Sequence, residues 1–372
     1  MFTMKVQKGK SPAGQTVWMV LDDNYLPIEP IQRYLRYLDS LERSPNTIQG
    51  YARNLKLYWE FLRDNHLDWQ QITIEQLSEF IHWLRSPNPV VVSVKPQTAK
   101  RSEKTINHAL TTVCSFYEFY ERIGESEGVN AYRYQFQPGR KYKPLIHGIA
   151  KTKEVKTRLL KVKEPKTFPG CLTTAEVKQL IDGCNRIRDK FLICLLYETG
   201  MRIGEVLGLR HEDIHSRGVN EIQVTNRPDN INEARAKAGD RIIHVSKELM
   251  RLYSDYLIEE YPENLDSDYV FVNCWSEPMG MPMNRNNVNG LFRRLKKKTG
   301  IKAFPHLLRH THATELIKAG WDMAYVQKRL GHADVQTTIN TYVHLVTEDM
   351  AEAYQQFIQT KNNGKETTRS IR

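Results

Sequence analysis

The sequence predicts a mainly α-helical chain with one small antiparallel β-sheet: a helical N-terminal bundle followed by an α+β domain. Three observations carry that prediction. At 372 residues the chain is long enough for about two domains, each with its own core. Apolar residues recur at three- and four-residue steps, as in Ile48, Tyr51, Leu55, Tyr58 and Leu62, which is the period of one helix face. The only clear β region is a pair of runs, 221–225 and 240–245, with turn residues Arg227-Pro-Asp-Asn230 between them.

Residues 1–29 read as an N-terminal extension. Thr16 to Leu21 is strand-like and Asp22-Asp23-Asn24 supplies a turn, so a small hairpin attached to the next domain is expected. Thirty residues are too few for an independent core. Residues 30–139 read as a helical bundle. Ser44 caps a helix with Pro45 at its first position. Thr73 with Gln76 makes a capping box ahead of Leu77, Phe80, Ile81 and Leu84. A third helix carries Ile106, Leu110, Val113, Tyr117 and Tyr120, after a Pro-, Val- and Ser-rich tract, 87–104, that reads as a loop.

Residues 140–166 read as a linker with ten Lys or Arg against only Glu154 and Glu164. A solvated connector would tolerate that composition. The whole chain, however, has 54 Lys+Arg against 43 Asp+Glu, a formal net charge of +11. Such a balance favours polyanionic partners, nucleic acid first. A basic linker lying along a phosphate backbone, letting two domains close on a duplex, is therefore the preferred reading, with Lys151, Lys153, Lys156 and Lys161 as contact residues.

The second domain, 167–360, opens with another capping box, Thr173 and Glu176, before Val177, Leu180 and Ile181. FLICLLY at 191–197 is too short to span a bilayer and reads as a buried helix. Arg202 follows its end at Thr199-Gly200, with Glu205 three residues on. Lys237 precedes the second strand run. Arg293, Arg294, Lys296, Lys297 and Lys298 make a basic helix face over Phe292 and Leu295. A helix then starts at Pro305 and puts His306 and Arg309 on one face. Leu316, Ile317 and Trp321 read as its core side and Gly320 as its stop. A short helix from about Asp322 to Leu330 ends at Gly331, with His332 just beyond. Tyr342 sits in a third helical segment, a last helix follows Thr347, and 361–372 is a polar, disordered tail.

Taken singly, these residues are ordinary. In order they are not. T-G-x-R-x-x-E-x-L-x-L at 199–209, H-x-x-R at 306–309, L-G-H at 330–332 and T-T-x-x-x-Y ending at Tyr342 resemble the tyrosine recombinase (phage integrase) family. S-P-N-T-I-x-x-Y at 44–51 resembles that family's core DNA-binding domain. The resemblance implies a catalytic set of Arg202, Lys237, His306, Arg309, His332 and the nucleophile Tyr342, with Glu205 orienting Arg202 from behind. It implies site-specific cutting and rejoining of double-stranded DNA through a covalent 3′-phosphotyrosyl link. Self-association into a tetramer on DNA, accessory recombination proteins and an origin in a mobile element, as its integrase or transposase, are further implications.

Other features fit. The chain has no G-x-x-x-x-G-K-[ST] loop and no carboxylate cluster for Mg²⁺, so no cofactor or metal is expected. Five cysteines without C-x-x-C spacing, and no apolar run of membrane length, point to reduced thiols in the cytoplasm without membrane attachment; nucleoid-associated activity is what the resemblance implies. Two alternatives stay open at this point: a type IB topoisomerase-like enzyme and a non-catalytic DNA-binding regulator.

Overall fold

The computed structural model describes residues 4–11, 16–86, 100–127, 129, 132–136, 154–165, 170–216, 218–227, 229–236, 239–263, 265, 267–275 and 277–331, with only the backbone of 133–136 and 154–157. Contacts divide the chain into two units, Met1–Lys166 and Thr167–Arg372. Of the loop expected at 87–104, residues 87–99 lie outside the described residues and Glu103 and Lys104 belong to a helix instead. The helical segments expected around Thr341 and after Thr347, and the 361–372 tail, also lie outside the described residues.

Among the described residues the first unit is built on four α-helices: α1 (Glu29–Ser40), α2 (Pro45–Asp64), α3 (Ile74–Arg85) and α4 (Glu103–Arg122). Their starts obey local chemistry. Ser44 Oγ accepts from Thr47 N at 3.3 Å, and Thr73 and Gln76 complete their reciprocal box at 3.3 and 2.9 Å. The shared core is strongly aromatic, with Tyr34, Tyr58, Phe61, Phe80, Phe116 and Tyr120 all but inaccessible. Buried phenols need partners. Tyr58 and Tyr117 hydroxyls pair at 2.6 Å, and the Tyr117 hydroxyl also bonds the Trp69 carbonyl at 2.7 Å.

The N-terminal hairpin exists, although its first strand lies upstream of the run that predicts it: β1 (Lys5–Lys10) pairs antiparallel with β2 (Thr16–Leu21). Val20 is fully buried in the helical core, which ties the hairpin to this unit. A second hairpin, β3 (Tyr132–Phe136) with β4 (Glu154–Arg158), was not expected from the sequence. In β4, E-V-K-T-R, a single apolar residue stands among charges, so its pairing is not visible in the composition. Beyond it, Asn107 on α4 donates to the Val162 carbonyl at 2.8 Å and accepts from the Val162 amide at 2.9 Å. Residues 154–164 of the stretch read as a linker are thus built into the first unit.

The second unit comprises α5 (Thr174–Asp182), α6 (Ile187–Thr199), α7 (Ile203–Leu207), α8 (Lys247–Glu259), α9 (Arg285–Thr299), α10 (Pro305–Lys318) and α11 (Met323–Leu330). Its sheet is antiparallel, β5 (Ile214–His215), β6 (Glu221–Val224), β7 (Arg241–His244) in that order, with Glu221 opposite His244 and Val224 opposite Arg241. The middle of α6, 191–196, is apolar on every side and α6 is the central helix; Phe191, Leu192, Ile193, Leu195 and Leu196 are buried, with α8 and α10 packed on it. The Glu198 carboxylate accepts from the amide and hydroxyl of Ser246, so the corner between β7 and α8 is anchored to α6.

Trp321 is a correction to the sequence reading. It is 49% exposed rather than part of the core, because α10 ends at Lys318, capped by Ala319, and Gly320 turns the chain outward at φ +81°. Among the described residues no helix is long and apolar enough to cross a membrane, and no group of His, Cys, Asp or Glu could hold a metal ion.

Candidate active site

The site begins at a glycine. Gly200 ends α6 at φ +63°, the left-handed conformation that an L side chain rarely adopts. It also has no room for one: a Cβ would stand 2.7 Å from His312 Cδ2 and 2.8 Å from Leu330 Cδ2. α6, α10 and α11 therefore converge on bare backbone. The turn delivers Arg202 to the start of α7, with Glu205 one helical turn later. Glu205 accepts from the Arg202 amide at 2.9 Å and from Arg202 Nη1 at 3.0 Å.

Arg309, in the second turn of α10, reaches the same place from the other side. Its Nη1 donates to the Gly200 carbonyl at 2.6 Å and its Nη2 to the Leu330 carbonyl at 2.8 Å. Arg202 donates to that same Leu330 carbonyl at 3.4 Å and to the Gly331 carbonyl at 3.1 Å. The C-terminal carbonyls of a helix lack intrahelical donors and carry its negative dipole end. α11 thus gathers both guanidiniums at its last turn, immediately before His332.

A buried charge network backs this pair. Burial alone would push the Glu205 carboxyl up, but the hydrogen bonds and charge of Arg241, together with Arg202, hold it below the usual carboxylate range. Arg241 meets Glu205 at 2.7 and 3.3 Å and donates its Nε to the Arg329 carbonyl at 2.9 Å. Arg329 returns along the same strand to the His244 carbonyl at 3.1 Å and to the Glu198 carbonyl at 3.0 Å. Its Nε donates to His312 Nε2 at 3.0 Å. Burial, with Arg329 and Arg309 beside it, pushes His312 down to about 3, so the ring is neutral and can accept that bond. Burial, His306 and Arg309 likewise lower His310 to about 4.

Of the residues predicted from sequence, Arg202, Glu205 and Arg309 are brought together here. His306 is exposed on the first turn of α10, its ring 6.2 Å from that of His310. Lys237, His332 and Tyr342 lie outside the described residues. The chain before Lys237 is described as far as Ala236 and is held in place. A Cβ on Gly204 would meet the Arg235 carbonyl at 2.7 Å, and Asn232 donates to the Leu207 and Met283 carbonyls at 2.9 and 2.8 Å. On the basic surfaces, Lys161, Arg293 and Arg294 are exposed, and Arg294 also faces Asp189 at 3.5 Å. Lys151, Lys153 and the Lys156 side chain lie outside the described residues.

Arg241, Arg329 and His312 were not singled out from the sequence. Arg241 left a trace, a charge opening an otherwise apolar strand. His312 left none, because T-H-A-T on a helix is buried only once α6 and α11 are in place. Chemically, two planar guanidiniums backed by a fixed carboxylate suit the oxygens of a phosphodiester.

Comparison with known proteins agrees. The chain matches the phage integrase family over residues 171–349 and the phage integrase N-terminal SAM-like domain over 31–124. Transposase A from transposon Tn554 of Staphylococcus aureus is 44% identical over 351 residues, spanning 94% of this chain and 96% of that protein. Tyrosine recombinase XerD of Halalkalibacterium halodurans is 28% identical over 344 residues, spanning 88% and 96%. Among solved structures, the Tn1549 transposon integrase in complex with transposon right end DNA shares the fold, with a TM-score of 0.59 at 20% identity over 89% of this chain and 99% of that one. Motif order, site geometry and near full-length similarity lead to one assignment: the chain belongs to the phage integrase family, the tyrosine recombinases.

Proposed function

We propose that this chain is the site-specific recombinase of a mobile element, a transposase or integrase that cuts and rejoins double-stranded DNA through a 3′-phosphotyrosyl intermediate. The observation that carries the reading is the meeting of Arg202 and Arg309 on the Leu330 carbonyl, one residue before Gly331-His332. The similarity to Tn554 transposase A along almost the whole chain supports the transposon origin.

In this reading Tyr342 attacks phosphorus, and the bond to the 5′-oxygen breaks as Lys237 gives that oxygen a proton. His306 takes the phenol proton. Arg202 and Arg309 hold the non-bridging oxygens, whose charge rises in the pentavalent transition state, so they stabilise it more than the ground state. His332 adds a hydrogen bond, and Glu205 keeps Arg202 in place. The phosphotyrosyl link conserves the bond energy, and a second 5′-hydroxyl reverses the step without a nucleotide cofactor. Residues 30–139 would serve as the core DNA-binding domain and 167–360 as the catalytic domain. Two DNA sites imply a tetramer, with accessory proteins as further partners, and the substrate puts the work in the cytoplasm at the nucleoid.

The nucleophile is the decisive test. Tyr342→Phe should bind DNA as the unaltered chain does and form no covalent adduct on denaturing gels. An undiminished adduct would end the assignment. Supercoil relaxation with no recombined product would make the enzyme a topoisomerase instead.

A further inference from the structure

We infer that Arg241 is a positioning residue for the recombination chemistry: it takes up the charge of Glu205, so that Glu205 can hold Arg202 without neutralising it. The inference rests on the reading of Arg202 as a phosphate-gripping arginine. Its basis is the sharing of one carboxylate. The Glu205 side chain is wholly inaccessible, and two guanidiniums meet it, Arg202 at 3.0 Å and Arg241 at 2.7 Å. Arg241 engages both carboxylate oxygens, whereas the Arg202 side chain engages one. Two cations on one anion leave a net positive charge, and the more exposed member is Arg202, whose side chain is 22% accessible against 7% for Arg241. The surplus charge is thus presented by Arg202.

Without Arg241 the same carboxylate would face Arg202 alone. A buried one-to-one pair is neutral, and its attraction for a phosphate falls accordingly. Arg241 is itself fixed from both sides. Its Nε holds the Arg329 carbonyl, while the Arg329 guanidinium holds the His244 carbonyl on the strand that carries Arg241. Glu205 and Arg202 in sequence would form an ordinary helical pair; Arg241 converts that pair into a cationic site.

The test compares single-turnover cleavage at saturating DNA, DNA affinity and thermal melting for four variants of the full chain. Arg241→Met, similar in shape but uncharged, should slow cleavage about tenfold to hundredfold, below the loss of a whole oxyanion donor, with affinity little changed. Adding Glu205→Gln should return about tenfold or more of the lost rate, because the anion that neutralises Arg202 is gone. A folded double variant no faster than Arg241→Met would overturn the proposal and leave Arg241 a plain structural clasp. Arg241→Lys keeps the charge and should cleave within about tenfold of the unaltered chain. If Arg241→Met does not fold, a hundredfold loss in Arg241→Lys overturns the proposal in its place. Arg202→Ala serves as the control for the underlying reading: undiminished cleavage there would remove the phosphate role of Arg202, whatever Arg241 does.

Discussion

Gly200 shows how narrowly single residues are specified at this site. It must adopt a left-handed backbone, leave space for His312 and Leu330, and offer its carbonyl to Arg309. Gly200→Ala meets two costs, about 1–2 kcal/mol for the backbone and about 1–3 kcal/mol for overpacking. Gly300 supplies an internal control, since it ends α9 at φ +76° with nothing within 4 Å of a Cβ. Urea unfolding should therefore show Gly200→Ala less stable than Gly300→Ala by about the packing cost. Equal losses would mean that the three helices relax freely around residue 200. The motif T-G-x-R made this glycine visible in the sequence, while its two steric neighbours, 112 and 130 residues away, were not.

At the scale of elements, local chemistry was legible wherever one helix end could satisfy itself. Ser44, Thr73 and Thr173 cap as their sequences suggest, because a cap needs only residues three apart. The clamp of Asn107 on Val162 is of another kind, since it joins α4 to a segment 55 residues later. Asn107→Ala would leave the Val162 amide and carbonyl unpaired in a buried place, at a cost of about 2–6 kcal/mol for the two groups. Hydrogen exchange at the Val162 amide should rise sharply in this variant. Unchanged protection would show that the segment is held without Asn107. β4 teaches the same lesson: its pairing with β3 was hidden because a basic run looks like a linker when it is read alone.

For the whole molecule, charge is the property to test. A net charge of +11 and ten basic residues within 140–166 predict DNA binding that weakens steeply with salt, each neutralised phosphate adding about −0.9 to the log–log slope. Replacing Lys151, Lys153, Lys156 and Lys161 by Gln should make the slope shallower by up to about 3.6 if all four touch phosphate. An unaltered slope would move the phosphate contacts elsewhere, with the exposed Arg293 and Arg294 on α9 the next to examine.

What the sequence determined by itself was the family and the helical character of both units. Those follow from motif order and from periodicity, which are properties of neighbours along the chain. Tertiary structure alone decided which charges distant in sequence meet. Glu205 and Arg241 are 36 residues apart, and Arg241 and Arg329 are 88 apart. Periodicity reveals that a helix has a buried face but not what covers it, so Trp321 was expected inside and stands outside, while Arg309 and His312 lie within. Opposite charges are cheap in water and costly when buried unpaired, and only the fold determines which of them must find each other.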